Sequence, residues 1–174
     1  LPTLNIGLPD KGKTSGLDSA VVLAVLHGAI DPSLGEISPY PITDPRFQAS
    51  LDSLIQTFEQ IYPINHLPGV PGVAIGRYPE DVYSGTGFDQ GNPWVLTTLA
   101  VAEAFFRMAR DIEIRGEIQV NRVNRTFWKW VLRACPIGGP ISLGRYGRKS
   151  PLFLTLQNAL QWNGEEFMKR IQYH

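Results

Sequence analysis

Residues 76–94 read GRYPEDVYSGTGFDQGNPW. They set one arginine, Arg77, and the acids Glu80, Asp81 and Asp89 among Tyr78, Tyr83, Phe88 and Trp94. A guanidinium presents five donors in a rigid fork, and a carboxylate accepts on two oxygens. Such a pair can grip adjacent hydroxyls of a neutral polyol. Aromatic faces can pack on the C–H face of a sugar ring while their polar tips bond elsewhere. These residue types therefore offer recognition of a pyranose. A plainer role stays open: Arg77 pairs with Glu80 or Asp81 to pin the loop, and Trp94 lies in the core. An inverting glycosidase holds its two carboxyl groups roughly 6.5–9.5 Å apart across the scissile bond. Glu80 and Asp81 are sequence neighbours and do not easily flank one bond from opposite sides.

A second stretch points to different chemistry. GLPDKGKT, residues 7–14, matches the pattern G-x-x-x-x-G-K-[ST] of a phosphate-binding loop. That loop must leave a buried parallel strand and enter a helix whose N–H groups face the phosphates. Leu4–Ile6 is short, and no set of β-branched runs builds a parallel sheet around it. No apolar run ends in an aspartate placed to hold Mg²⁺. Pro9 removes one of the N–H groups the loop needs, and Gly16 falls in the first turn of the supporting helix. The stretch reads as a solvated turn before a helix.

The chain has 174 residues, with 16 lysines and arginines against 16 aspartates and glutamates. A zero net charge gives a polyanionic partner no electrostatic support, so neither nucleic acid nor a membrane surface is expected. Cys135 is the single cysteine, so no intrachain disulfide forms. His27, His66 and His174 are scattered and make no metal-ligand spacing with it. No cofactor is expected.

The elements that must position residues 76–94 read as helices. Leu17–His27 is apolar nearly all round, with Asp18 in its first turn and Gly28 as its stop. Residues 28–43 form a proline-rich connector. Asp44-Pro45 opens an amphipathic helix carrying Phe47, Leu51, Leu54, Ile55, Phe58 and Ile61, which ends before Pro63. Asn92-Pro93 opens a third helix through WVLTTLAVAEAFFRMARDI. Residues 117–120 are extended. Asn124–Arg133 is helical, with Phe127, Val131 and one of its two tryptophans facing in. Residues 136–150 form a loop whose Arg145, Arg148 and Lys149 are solvated. Ser150-Pro151 opens a last helix carrying Leu152, Phe153, Leu156, Leu160, Phe167 and Ile171, with Gly164 as a weak point. Cys135 and the Phe127/Trp130 pair are read as structural. The chain is all-α, without repeats or an internal domain boundary, and its long Gly/Pro-rich loops are expected to be functional.

The motif GRYPEDVY…GNPW, followed by LTTLAVAEAFFR, closely resembles the glucoamylase family, glycoside hydrolase family 15. SGLDSAVVLAVLHG and the closing FLTLQNALQWNGEEFMKRIQYH are similar to flanking segments of that family, so most of the chain is covered. The resemblance implies an (α/α)6 barrel of alternating inner and outer helices, with residues 1–174 a single partial domain from its later half. It implies release of glucose, with inversion, from the non-reducing ends of α-1,4 and α-1,6 glucans such as starch or malto-oligosaccharides. By the motif match, Arg77 and Asp81 hydrogen-bond the sugars beside the scissile bond, Tyr83 and Trp94 shape the pocket, and Glu80 supports it. The spacing from Tyr83 to Gly91 is longer than in many fungal members, which leaves Phe88 and Asp89 without an assigned place.

In that family the general acid lies in a Trp-Glu-Glu before the segment matched by Leu1. The base lies in a Ser-Glu-Gln after the segment matched by His174. Neither triplet occurs here, so no catalytic carboxylate is expected in this chain, and the remainder of the same barrel is its expected partner. The chain alone is expected to be inactive. The resembling enzymes act mostly on external polymers, so a secreted or periplasmic parent is expected. A non-catalytic carbohydrate-binding or regulatory domain on the same barrel is the alternative.

Overall fold

The computed structural model describes residues 13–28, 40–87, 91–134 and 140–173. Five α-helices make up most of it: α1 (Ala20–His27), α2 (Pro45–Ile61), α3 (Val95–Arg115), α4 (Arg125–Ala134) and α5 (Pro151–Arg170). Strand β1 (Glu117–Val120) pairs antiparallel with β2 (Gly144–Gly147), Glu117 opposite Gly147 and Val120 opposite Gly144.

The helix ends show which local signals prevailed. Asp44 caps α2 by accepting from the Arg46 N–H at 2.7 Å, with Pro45 in the first turn. Pro151 likewise sits in the first turn of α5, after Ser150 as cap. α3 starts at Val95, later than the Asn92-Pro93 signal predicts. The Trp94 N–H donates to the Ile75 carbonyl at 2.8 Å, so this residue is held extended by a tertiary bond. The side-chain amide of Asn92 donates to Pro93 O rather than capping the helix. α1 is also shorter than its apolar run, because Asp18 precedes it and accepts from the Ala20 N–H at 2.8 Å. α3 stops at Gly116, whose left-handed φ of 71 costs an ordinary residue about 1–2 kcal/mol.

α3 and α5 form the centre of the packing. Phe105 on α3 is fully buried and lies 6.1 Å from the Phe127 ring, 5.9 Å from Trp130 and 5.6 Å from Phe167. Trp128 and Trp130 are both buried, not one of the two as the helical face predicts, because α4 is covered from more than one side. Gly164 is a contact point rather than a weak point. A β-carbon there would lie 2.8 Å from the Phe106 ring, so glycine lets α5 approach α3. Arg107 of α3 donates to Leu26 O at the end of α1, at 2.9 Å.

Strand β2 lies inside the stretch expected to be loop. With two glycines around Arg145 and Tyr146 it carries little strand propensity, and its partner is distant in sequence. The basic residues are not simply solvated. Arg145 pairs with Glu117 at 3.4 Å. Arg148 donates to the carbonyls of Glu113 and Ile114 at the C-terminal end of α3, where a cation complements the helix dipole.

Val95, Leu96 and Leu154 are exposed, as is Ile61, which was expected on the inner face of α2. Apolar surface left in water favours association. Expressed alone, these 174 residues are expected to aggregate or to melt without a cooperative transition. A dilute, monodisperse monomer with a cooperative melt by calorimetry would contradict this.

Candidate functional site

Four elements converge on Arg77. The backbone before it is held on two sides. Asn65, in a 3₁₀ turn (Pro63–His66), accepts from the Ala74 N–H at 2.8 Å and donates to Ala74 O at 3.1 Å. The Ile75 N–H donates to Thr98 Oγ1 of α3 at 3.0 Å, and Thr97 Oγ1 donates to Ile75 O at 2.5 Å. Gly76 packs under Tyr62 and Phe58, where a β-carbon would lie 2.0 Å from the Tyr62 hydroxyl oxygen. Burial, reinforced by the charge of Asp81, pushes the Tyr62 phenol up to about 12, so this wall stays neutral. The Arg77 carbonyl in turn accepts the Ser19 N–H at 2.8 Å, at the entry to α1.

Arg77 and Asp81 converge, and they converge on each other. Arg77 Nε donates to Asp81 Oδ2 at 2.6 Å and Nη2 to Oδ1 at 2.7 Å, a two-pronged pair in which Asp81 also accepts the Tyr83 N–H at 3.0 Å. The hydrogen bond to Asp81 raises the guanidinium further above its already high pKa. The Asp81 side chain is 2% exposed and that of Arg77 is 41%. The carboxylate is thus enclosed while the guanidinium keeps a face toward solvent. Nη1 has no hydrogen-bond partner among the described residues. Of the two pairings open to Arg77, the structure contains the one with Asp81.

Aromatic rings surround that guanidinium. Its Cζ lies 5.1 Å from the Tyr83 ring centroid, 5.5 Å from Trp94 and 5.7 Å from Tyr78, within cation–π range. Tyr83 and Trp94 stack at 6.0 Å with planes 24° apart. Trp94 is half-buried at the mouth of α3, not in the core. Phe88 and Asp89 lie outside the described residues.

Glu80 does not pair with Arg77. It accepts from Ser15 N at 2.5 Å, Ser15 Oγ at 3.1 Å and Thr14 Oγ1 at 3.0 Å, which ties residues 14 and 15 to the loop. Lys13 pairs with Asp18 and sits 4.4 Å over the Tyr78 ring. Lys13 and Thr14 are the two residues of the phosphate-loop pattern that would touch nucleotide and metal. Here both are committed to α1 and to the loop after Gly76. Residues 7–12 of that pattern lie outside the described residues. The contribution of Thr14 and Ser15 has no local signal, since their partner Glu80 is some 65 positions away.

Partial burial opposes charge on Glu80, but the hydrogen bonds from Ser15 and Thr14 prevail and hold its carboxyl below the usual glutamate range. A lowered folded-state pKa contributes stability above the unfolded value, and this is lost as pH falls through the folded one. Glu80→Gln is therefore expected to be less stable than the parent near neutrality, with the difference shrinking as pH falls below the reference value of 4.5, so that the acid side of the stability–pH curve flattens. An unchanged acid limb would show that the tether does not form.

Among the described residues, no group of three or more His, Cys, Asp or Glu side chains could hold a metal ion, and no helix is long and apolar enough to cross a membrane.

Comparison with known proteins gives a consistent result. The family model for glycosyl hydrolases family 15 matches residues 4–174. A glucoamylase of Blastobotrys adeninivorans is 33% identical over 165 residues, which is 94% of this chain and 26% of that protein. The intracellular sporulation-specific glucoamylase of Saccharomyces cerevisiae is 39% identical over 121 residues, 66% of this chain and 22% of that protein. The solved family 15 glucoamylase from Hypocrea jecorina superposes with a TM-score of 0.78 at 28% identity, covering 97% of this chain and 26% of that one. The chain thus spans about a quarter of the length of these relatives. The all-α architecture is part of an (α/α)6 barrel, as its likeness to that solved enzyme shows. With a match over nearly its whole length, the chain belongs to glycosyl hydrolase family 15.

Proposed function

We propose that these residues form the sugar-holding part of a glucoamylase that releases glucose from the non-reducing ends of α-1,4, and more slowly α-1,6, glucans with inversion. The observation that carries this is the state of Arg77. It is fixed by an enclosed carboxylate, lies among three rings and keeps one nitrogen without a hydrogen-bond partner among the described residues. A donor fixed before substrate arrives loses less freedom on binding. Arg77 contacts the sugar, and Tyr83 and Trp94 offer it their faces. Asp81 acts chiefly by aiming Arg77, because its side chain is enclosed and both oxygens already accept from Arg77. Glu80 supports the loop through Thr14 and Ser15.

Neither Glu80 nor Asp81 serves as acid or base in this reading. The proton donor and the water-activating base come from elsewhere in the parent protein, before Leu1 and after His174, and the rest of the barrel encloses the substrate. Export of the parent is part of the proposal, although one relative is named as intracellular. The alternative, a non-catalytic carbohydrate-binding domain, uses the same Arg77 site without turnover.

Following maltose with the full-length protein by NMR separates these readings. Inversion predicts β-glucose as the first product. α-Glucose as the first product would overturn the mechanism, and binding without turnover would favour the alternative.

A further inference from the structure

Arg170, at the C-terminal end of α5, is fully buried. Its Nη2 donates to Ile64 O at 2.8 Å and to Asn65 Oδ1 at 2.7 Å. Its Nε and Nη1 are buried without a hydrogen-bond partner among the described residues. Among the described residues no carboxylate lies within ion-pair distance of it. Glu166, one turn earlier, is engaged by Lys169 at 2.9 Å.

The contrast with the other arginines is informative. Arg46, Arg77, Arg107, Arg133 and Arg145 are all partly exposed, and each has an acid partner. Arg170, buried more deeply than any of these five, has no acid partner among the described residues. Burial depresses its pKa, but a guanidinium does not shed its proton in a protein, so it cannot escape the cost by becoming neutral. Its position at the end of α5 recovers only part of that cost through the helix dipole. Two neutral acceptors on Nη2 leave the charge uncompensated, and an unpaired ion is costly to hold out of water.

We infer that Arg170 is a docking point for a carboxylate side chain supplied by a part of the parent polypeptide outside these 174 residues, received at Nε or Nη1. The relatives this chain matches are about four times longer, so such polypeptide is at hand. A carboxylate fits better than a further carbonyl because the missing element is charge as well as an acceptor. The contact also reaches the sugar site. Asn65 Oδ1 takes both Arg170 and the Ala74 N–H, three residues before Arg77. Docking there braces the backbone that presents Arg77. The ion pair itself follows from the burial of Arg170 and stands whether or not Arg77 binds sugar.

A crystal structure of the full-length protein tests this directly. An Asp or Glu oxygen from outside the present residues is expected within 4 Å of Nε or Nη1. Only waters or backbone carbonyls there would overturn the inference. A double-mutant cycle gives a second readout. Arg170→Met and the amide variant of the acid so located should each lower the melting temperature, and the double variant should lower it by no more than the worse single one. Fully additive losses would overturn the pairing.

Discussion

Arg77→Ala in the full-length protein is expected to lower kcat/KM on maltose roughly 10- to 150-fold. Removing a charged donor to a bound hydroxyl costs about 1.5–3 kcal/mol, and each 1.4 kcal/mol is about tenfold. The loss has two parts. The sugar loses its contact, and Asp81 is left as an enclosed carboxylate with only the Tyr83 N–H. Arg77→Lys should recover little activity, because an ammonium on a flexible stem cannot meet both Asp81 oxygens and still offer a fixed donor. The melting temperature separates the two parts. A structural effect alone would lower stability and leave steady-state constants near normal for the folded fraction. Activity unchanged in Arg77→Ala would remove Arg77 from the sugar site.

The largest stability effect is expected at Phe105. Phe105→Ala removes a fully buried ring that meets Phe127, Trp130 and Phe167, and so opens a cavity where α3, α4 and α5 join. Truncations of this kind cost about 3–5 kcal/mol. That is a large share of the 5–15 kcal/mol by which a native domain is typically stable. Chemical denaturation of the full-length variant should show an earlier midpoint with the slope retained. Phe105→Leu should lose markedly less, because the void is smaller. A loss below about 1 kcal/mol for the alanine variant would mean that the aromatic cluster is not a core.

How much was legible in the sequence followed from how local each signal was. Asp44-Pro45 marks α2 because cap and proline act within one turn, whereas Pro151 marks α5 without a side-chain cap bond from Ser150. The apolar faces of α2 and α5 follow from helical spacing. Local signals place the start of α3 too early because the Trp94 N–H is taken by Ile75, a contact that spacing does not encode. Strand β2 is hidden in the sequence because Arg145 and Tyr146 between glycines resemble a turn until β1 lies beside them. The sequence around Arg148 suggests a solvated side chain because nothing nearby reveals the end of α3.

The site divides along the same line. Arg77 and Asp81 stand four apart, so their pairing was one of the options on view from the start. Their residue types could not show that the carboxylate would be enclosed and the guanidinium left with an open face. That outcome depends on Tyr62, Asn65 and Thr98, which fix the backbone ahead of Arg77. The phosphate-loop pattern misled for a related reason. A motif records residue order, whereas Lys13 and Thr14 are committed by what the fold places beside them, Asp18, Tyr78 and Glu80.

The most direct measurement is a crystal structure of the full-length protein with a slowly hydrolysed malto-oligosaccharide analogue bound. The account predicts a sugar hydroxyl within hydrogen-bond distance of Arg77 Nη1, the Arg77–Asp81 pair intact, and a ring face against Tyr83 or Trp94. An oligosaccharide bound elsewhere, with Arg77 facing only protein or solvent, would contradict it.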